Sequence, residues 1–151
     1  MIIISIQRIR PYYLIAMEKG TISLNLVLRF LLELVALFAI GRWGWQTGDD
    51  WTRYLFVILF PLSGALIWGI FAVPDDPSRS GKAPVPVPGW LRLILELGFF
   101  GLACWGLFVT GVKISALVLL LLVVIHYGFS LDRIKWLFKA RGEADYSRQK
   151  N

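Results

Sequence analysis

Four near-continuous apolar stretches constrain this chain more than anything else in it: Leu24 to Ile40, Tyr54 to Val73, Leu91 to Val109 and Ile114 to Leu131. Each is close to the ~20 residues that an α-helix needs to cross the ~30 Å hydrocarbon core of a bilayer. In lipid, every backbone N–H and C=O must be satisfied within the segment or around a closed barrel, and barrel strands alternate apolar with polar residues. These stretches do not alternate, so they predict helices. At 57% hydrophobic residues in 151, the chain is too apolar for a water-soluble domain of its size. The expectation is an all-α integral membrane protein, a four-helix bundle.

Loop charge gives the expected orientation. Arg8, Arg10, Lys19, Arg79, Lys82, Arg133, Lys135, Lys139, Arg141, Arg148 and Lys150 fall on the face shared by the termini and the middle loop, against Arg42, Arg53 and Lys113 on the other. The positive-inside rule then places both termini and the middle loop in the cytoplasm. The division that follows is a cytoplasmic extension over 1–23, a first helix hairpin over 24–73, a linker over 74–89, a second hairpin over 90–131 and a basic amphipathic tail over 132–151. The linker holds five of the seven prolines and predicts an extended, partly polyproline segment. Thr110-Gly111-Val112 is barely a turn, so the helices it joins must be antiparallel neighbours. Trp43, Trp45, Trp51 and Trp105 on the outside, with Trp90 and Trp136 on the inside, read as interface anchors.

The first sixteen residues are apolar but broken by Arg8, Arg10 and Pro11, and they resemble neither a span nor a cleavable signal. Met17, just before the first span, would itself serve as a start, which makes the preceding segment an upstream extension. In the tail, Ile134, Leu137 and Phe138 alternate with Arg133, Lys135, Lys139 and Arg141 around Trp136. That pattern predicts a short helix lying on anionic lipid at the cytoplasmic face. The net charge of +6 is therefore assigned to lipid and orientation, and no nucleic-acid partner is expected. The single cysteine, Cys104, excludes an internal disulfide or a cysteine metal site.

An internal repeat carries the most information. Leu28-Arg29-Phe30-Leu31-Leu32-Glu33-Leu34 matches Leu91-Arg92-Leu93-Ile94-Leu95-Glu96-Leu97 at five of seven positions. Two tandem helix hairpins related by a parallel pseudo-twofold axis would explain it. In each copy an arginine precedes a glutamate by four residues, so both share one helix face about 6 Å apart along the axis. The symmetry predicts reciprocal bridges, Arg29 to Glu96 and Arg92 to Glu33, with His126 of the fourth span at the same depth. Two readings of this polar cluster compete. It can be structural glue between spans, or it can bind an ion or proton as intramembrane ionisable groups do. No metal-ligand spacing, no nucleophile beside a base and no glycine-rich phosphate loop is present, so neither a cofactor nor an enzyme is expected.

The segments LRFLLEL in the first span, Trp68-Gly69-Ile70-Phe71-Ala72-Val73-Pro74 closing the second, and LRLILEL in the third resemble the YrdB-like family of small bacterial membrane proteins. The similarity covers about Leu24 to Trp136. It implies a bacterial cell-membrane location and four spans, and it supplies no catalytic residues. The function expected is that of a non-enzymatic membrane protein associating with itself or a partner membrane protein; the alternative is a small proton- or ion-coupled transporter or channel subunit using the membrane glutamates.

Overall fold

The computed structural model describes residues 12–74, 76 and 83–138, with side chains from Leu24 onward. In chain order the elements are α1 (Tyr12–Thr47), α2 (Thr52–Ile70), β1 (Phe71–Ala72), β2 (Val85–Pro86), α3 (Gly89–Val109) and α4 (Lys113–Phe129). A short helix, α5 (Leu131–Phe138), follows. Met1 to Pro11, Arg79, Lys82, Lys139 and Arg141 lie outside the described residues, and with them part of the expected extension and of the expected lipid-binding tail.

Among the described residues the structure is all-α apart from the two-residue strands, but the expected four-helix bundle of two tandem hairpins is corrected. Only α1 (over Leu24–Thr47), α2 and α3, among the described residues, are long and apolar enough to cross a membrane alone. The fourth apolar block is broken: α4 ends at Phe129, and α5 leaves at 68° to it, so the two make at most one bent span. The helices also pack unequally. α1 packs against both α2 and α3, and α3 against α4, whereas α2 meets α3 at few points. No residue of α2 is buried.

The reason lies in how the small and large apolar residues are distributed. In α1, Leu32, Ala36, Ala39 and Ile40 recur at helical spacing and form a core with Phe100, Ala103 and Leu107 of α3 and Ala116, Leu119 and Val123 of α4. This is a three-helix core. α2 contributes only part-buried side chains to it, such as Phe60 and Trp68. α2 is held instead by close backbone approach to α1, because a Cβ at Gly44 would run into the backbone of Phe56. It stays helical through Pro61. A Cβ at Gly69, Gly98 or Gly101 would meet nothing within 4 Å, whereas one at Gly106 of α3 would press on Trp43 of α1 at 3.0 Å.

The proline-rich linker is not simply extended. Phe71 and Ala72 pair in parallel with Val85 and Pro86, and Val87 N donates to Ala72 O at 2.9 Å. The two ends of the linker are thereby joined beneath the bundle. Ala72, Val73, Val87 and Leu137 are all buried there. At the start of α3, a Cβ on Gly89 would collide with the Leu137 backbone, so α5 lies directly on this glycine. The linker and α5 thus close one end of the helix core. That end holds the charged residues.

Candidate functional site

Each helix brings its polar groups to this end by the same spacing that buries its apolar ones. Asn25, Arg29 and Glu33 follow at intervals of four on α1, as do Arg92 and Glu96 on α3. His126, Ser130, Arg133 and Leu137 continue the buried stripe of α4 across the bend into α5, with His126, Ser130 and Leu137 all buried. Asp76 comes from the linker and is buried at 7% exposure, a depth that a loop aspartate reaches only when it is paired.

Glu96 is the hub. At 1% exposure it is among the most deeply buried side chains in the protein. Its Oε1 accepts from Arg29 Nη2 at 3.2 Å, Arg92 Nε at 3.0 Å and Arg133 Nη2 at 2.7 Å. Its Oε2 accepts from Arg133 Nη1 at 2.8 Å and the Tyr127 hydroxyl at 3.0 Å. An ionised carboxylate offers about four lone-pair sites. Five donors therefore leave Glu96 no free acceptor. Arg133 grips it with both terminal nitrogens, the bidentate geometry that gives arginine pairs their strength and direction.

The remaining charges are matched around this hub. Arg29 Nε donates to Glu33 Oε1 at 3.0 Å, and Arg133 Nη2 to Asp76 Oδ2 at 3.0 Å. Arg92 Nη1 donates to the carbonyls of Trp68 and Phe71 at the end of α2. Those carbonyls belong to the last turn and cap of α2, where intrahelical partners run out. The Trp68 ring lies under both guanidinium groups, 4.2 Å from Arg92 and 5.3 Å from Arg29. Three arginines thus face three carboxylates, with an indole face filling the space between two of the cations.

The structure brings Arg29, Glu33, Arg92 and Glu96 together, but not in the symmetric way the repeat suggests. Arg29 does reach Glu96. Arg92 turns to its own Glu96 and to α2, not to Glu33. Arg133, expected at the lipid surface, points inward and is 12% exposed at its side chain. The Lys135 side chain is 79% exposed, with Asp132 Oδ1 3.7 Å from its Nζ. Trp136 is half-buried.

His126 sits apart from the carboxylates. Its Nδ1 lies 2.8 Å from Asn25 Oδ1, and Asn25 Nδ2 donates to Ser130 Oγ at 2.8 Å. With its amide hydrogen committed to Ser130, the Asn25 oxygen is the acceptor and His126 the donor. This chain ties α1 to α4 and to the turn before α5. Sequence reasoning missed Asn25, Asp76, Tyr127 as a ligand of Glu96, and Trp68 as the cation-bearing ring. Only Asn25 had a clear signal, since it stands four residues before Arg29 in an otherwise apolar run. Among the described residues no group of His, Cys, Asp or Glu could hold a metal ion.

Comparison with known proteins places this network in a family. A family profile described as a protein of unknown function (DUF2568) matches residues 27–124, which takes in both Arg/Glu pairs. The chain is 40% identical over 113 residues to the uncharacterized protein YrdB of Bacillus subtilis (strain 168), an alignment covering 75% of this chain and 92% of that protein. No solved structure matches the chain. With most of its length under that profile and four-tenths of the aligned residues shared with YrdB, the chain belongs to the DUF2568 family and is a bacterial membrane protein with a buried Arg/Glu network.

Proposed function

We propose that the protein is a non-enzymatic membrane component that acts by associating with itself or with another membrane protein, and that the Glu96 network holds its helices and α5 in the arrangement the partner meets. The observation that carries this reading is the saturation of Glu96: with two cations and Tyr127 in addition to its own Arg92, it has no acceptor to offer a transported ion or proton. A carboxylate kept for transport is more useful with an acceptor unoccupied. Glu33 fits that description better, because its side chain is 24% exposed and Arg29 is its ion-pair partner. An ion-coupled role, the competing reading, would therefore run through Glu33.

Proteoliposomes and melting curves separate the two. On the association reading, the protein carries no proton flux above empty vesicles, and Glu33→Gln shifts stability by only about 0.5 kcal/mol, the usual worth of a part-exposed i,i+4 pair. A flux that Glu33→Gln abolishes, with the melting temperature unchanged, would establish the transport reading instead.

The orientation proposed is the one loop charge favours, with both termini and the linker in the cytoplasm and Lys135 and Trp136 against anionic lipid there. A green fluorescent protein fused after Asn151 should fluoresce, since it matures only on the cytoplasmic side, while an alkaline phosphatase fused at the same place should stay inactive. The reverse pair of results would invert the topology.

A further inference from the structure

At the end of the bundle opposite Asp76, an open groove of about 500 Å³ runs between α1 and α4. Leu32, Val35 and Phe38 form one wall and Val118 and Leu122 the other, while Arg42 and Ser115 stand together at one end. Ten residues of helix separate Leu32 from Arg42, about 15 Å at 1.5 Å per residue. That is half of the ~30 Å hydrocarbon core, the depth of one leaflet. The groove's volume lies within the ~300–1,000 Å³ typical of small-ligand sites.

Arg42 supplies the second observation. Its Nε is buried and makes no hydrogen bond among the described residues. Arg29, Arg92 and Arg133 all grip carboxylates. Arg53 at the start of α2 shares the unmet Nε, but it lies over the Trp45 ring, 5.1 Å from its centre, and does not line the groove. A guanidinium left with a buried, unmet donor at the headgroup end of an apolar channel is a site for an oxyanion, and its planar fork suits a phosphate. A zwitterionic lipid carries a phosphate too, but its own ammonium offsets the charge.

We propose that this groove seats one acyl chain of an anionic phospholipid whose phosphate bonds to Arg42. The chain lies along Val35 and Val118, and the phosphate sits against the Arg42 guanidinium at the end of the groove. The site is separate from the Glu96 network and does not depend on the association reading.

The test uses full-length protein in mild detergent, mixed with equal amounts of phosphatidylglycerol and phosphatidylcholine of identical chains and measured by native mass spectrometry. One phosphatidylglycerol should be retained per protomer, about tenfold over phosphatidylcholine, a difference of about 1.4 kcal/mol. Arg42→Gln should remove that preference, and Arg42→Lys should keep most of it. Val118→Trp, at a position 51% exposed, fills the groove and should reduce retention of both lipids with the charge intact. Should Arg42→Gln fail to fold, the lysine and tryptophan variants decide. Equal retention of the two lipids by the unaltered protein overturns the proposal. So does phosphatidylglycerol retention that survives Val118→Trp. Finally, Val118→Cys in a Cys104→Ala background must stay uncrosslinked in membranes, because a disulfide dimer would show that a second copy covers the groove.

Discussion

Glu96→Gln should destabilise the protein by about 3–5 kcal/mol, the range seen when one partner of a buried ion pair is removed. The substitution preserves shape and removes only charge. Arg29 would still have Glu33, and Arg133 would still have Asp76. Arg92 would be left with the Trp68 and Phe71 carbonyls, at 2% exposure and without a carboxylate among the described residues. The glutamine amide would also turn two N–H donors toward groups that are themselves donors. The loss should therefore appear as a large drop in melting temperature in detergent and in the yield of folded protein. Combining Glu96→Gln with Arg92→Gln removes the stranded cation as well, and should recover part of the loss although the α2 carbonyls lose their donor. A double variant no more stable than Glu96→Gln alone would mean that stranded charge is not the cause.

The second large effect is expected at Gly89. A Cβ there meets the Leu137 backbone, including Cα at 2.8 Å, and a helix backbone cannot rotate aside as a side chain can. Gly89→Ala must push α5 off the start of α3, with an overpacking cost of about 1–3 kcal/mol. The displacement also draws Arg133 away from Glu96, so the effect should exceed that of a simple steric clash. Limited proteolysis after α4 should become faster and the melting temperature should fall. Gly98→Ala is the control, because nothing lies within 4 Å of a Cβ there and alanine suits a helix better. If Gly89→Ala melts like the unaltered protein with α5 still protected, the contact between α3 and α5 is not what holds α5 in place.

The helices and the gathering of Arg29, Glu33, Arg92 and Glu96 were legible in the sequence because both depend on local spacing. An arginine four residues before a glutamate faces the same way whatever surrounds it, and the Arg29 to Glu96 contact follows once α1 and α3 are neighbours. What could not be read was the breaking of the symmetry. The repeat covers Leu28–Leu34 of α1 and Leu91–Leu97 of α3 and says nothing about Asp76 or Arg133, which have no counterpart in the first copy. Those two residues decide that Glu96, and not Glu33, becomes the hub. Arg133 was misread because an amphipathic pattern tells which residues share a face but not whether lipid or protein covers it. Asp76 sits in a polar, proline-rich run that looks solvated, and only the pairing of Phe71-Ala72 with Val85-Pro86 folds it underneath the helices. The fourth span was overestimated for a related reason: apolar length was continuous through Leu131, while the direction of the chain changes at Ser130.

The pairing of Arg29 with Glu33 has a consequence for the order in which the protein is made. Glu96 lies 67 residues downstream of Arg29. At about 5–20 residues per second, synthesis leaves roughly 3–13 s between the two. Throughout that interval the first span holds a guanidinium one of whose carboxylate partners does not yet exist. Glu33, one turn away on the same helix, is within reach from the moment the span forms. It can keep the nascent helix electrically balanced while the rest of the chain emerges, and Arg133, near the end of translation, closes the assembly last.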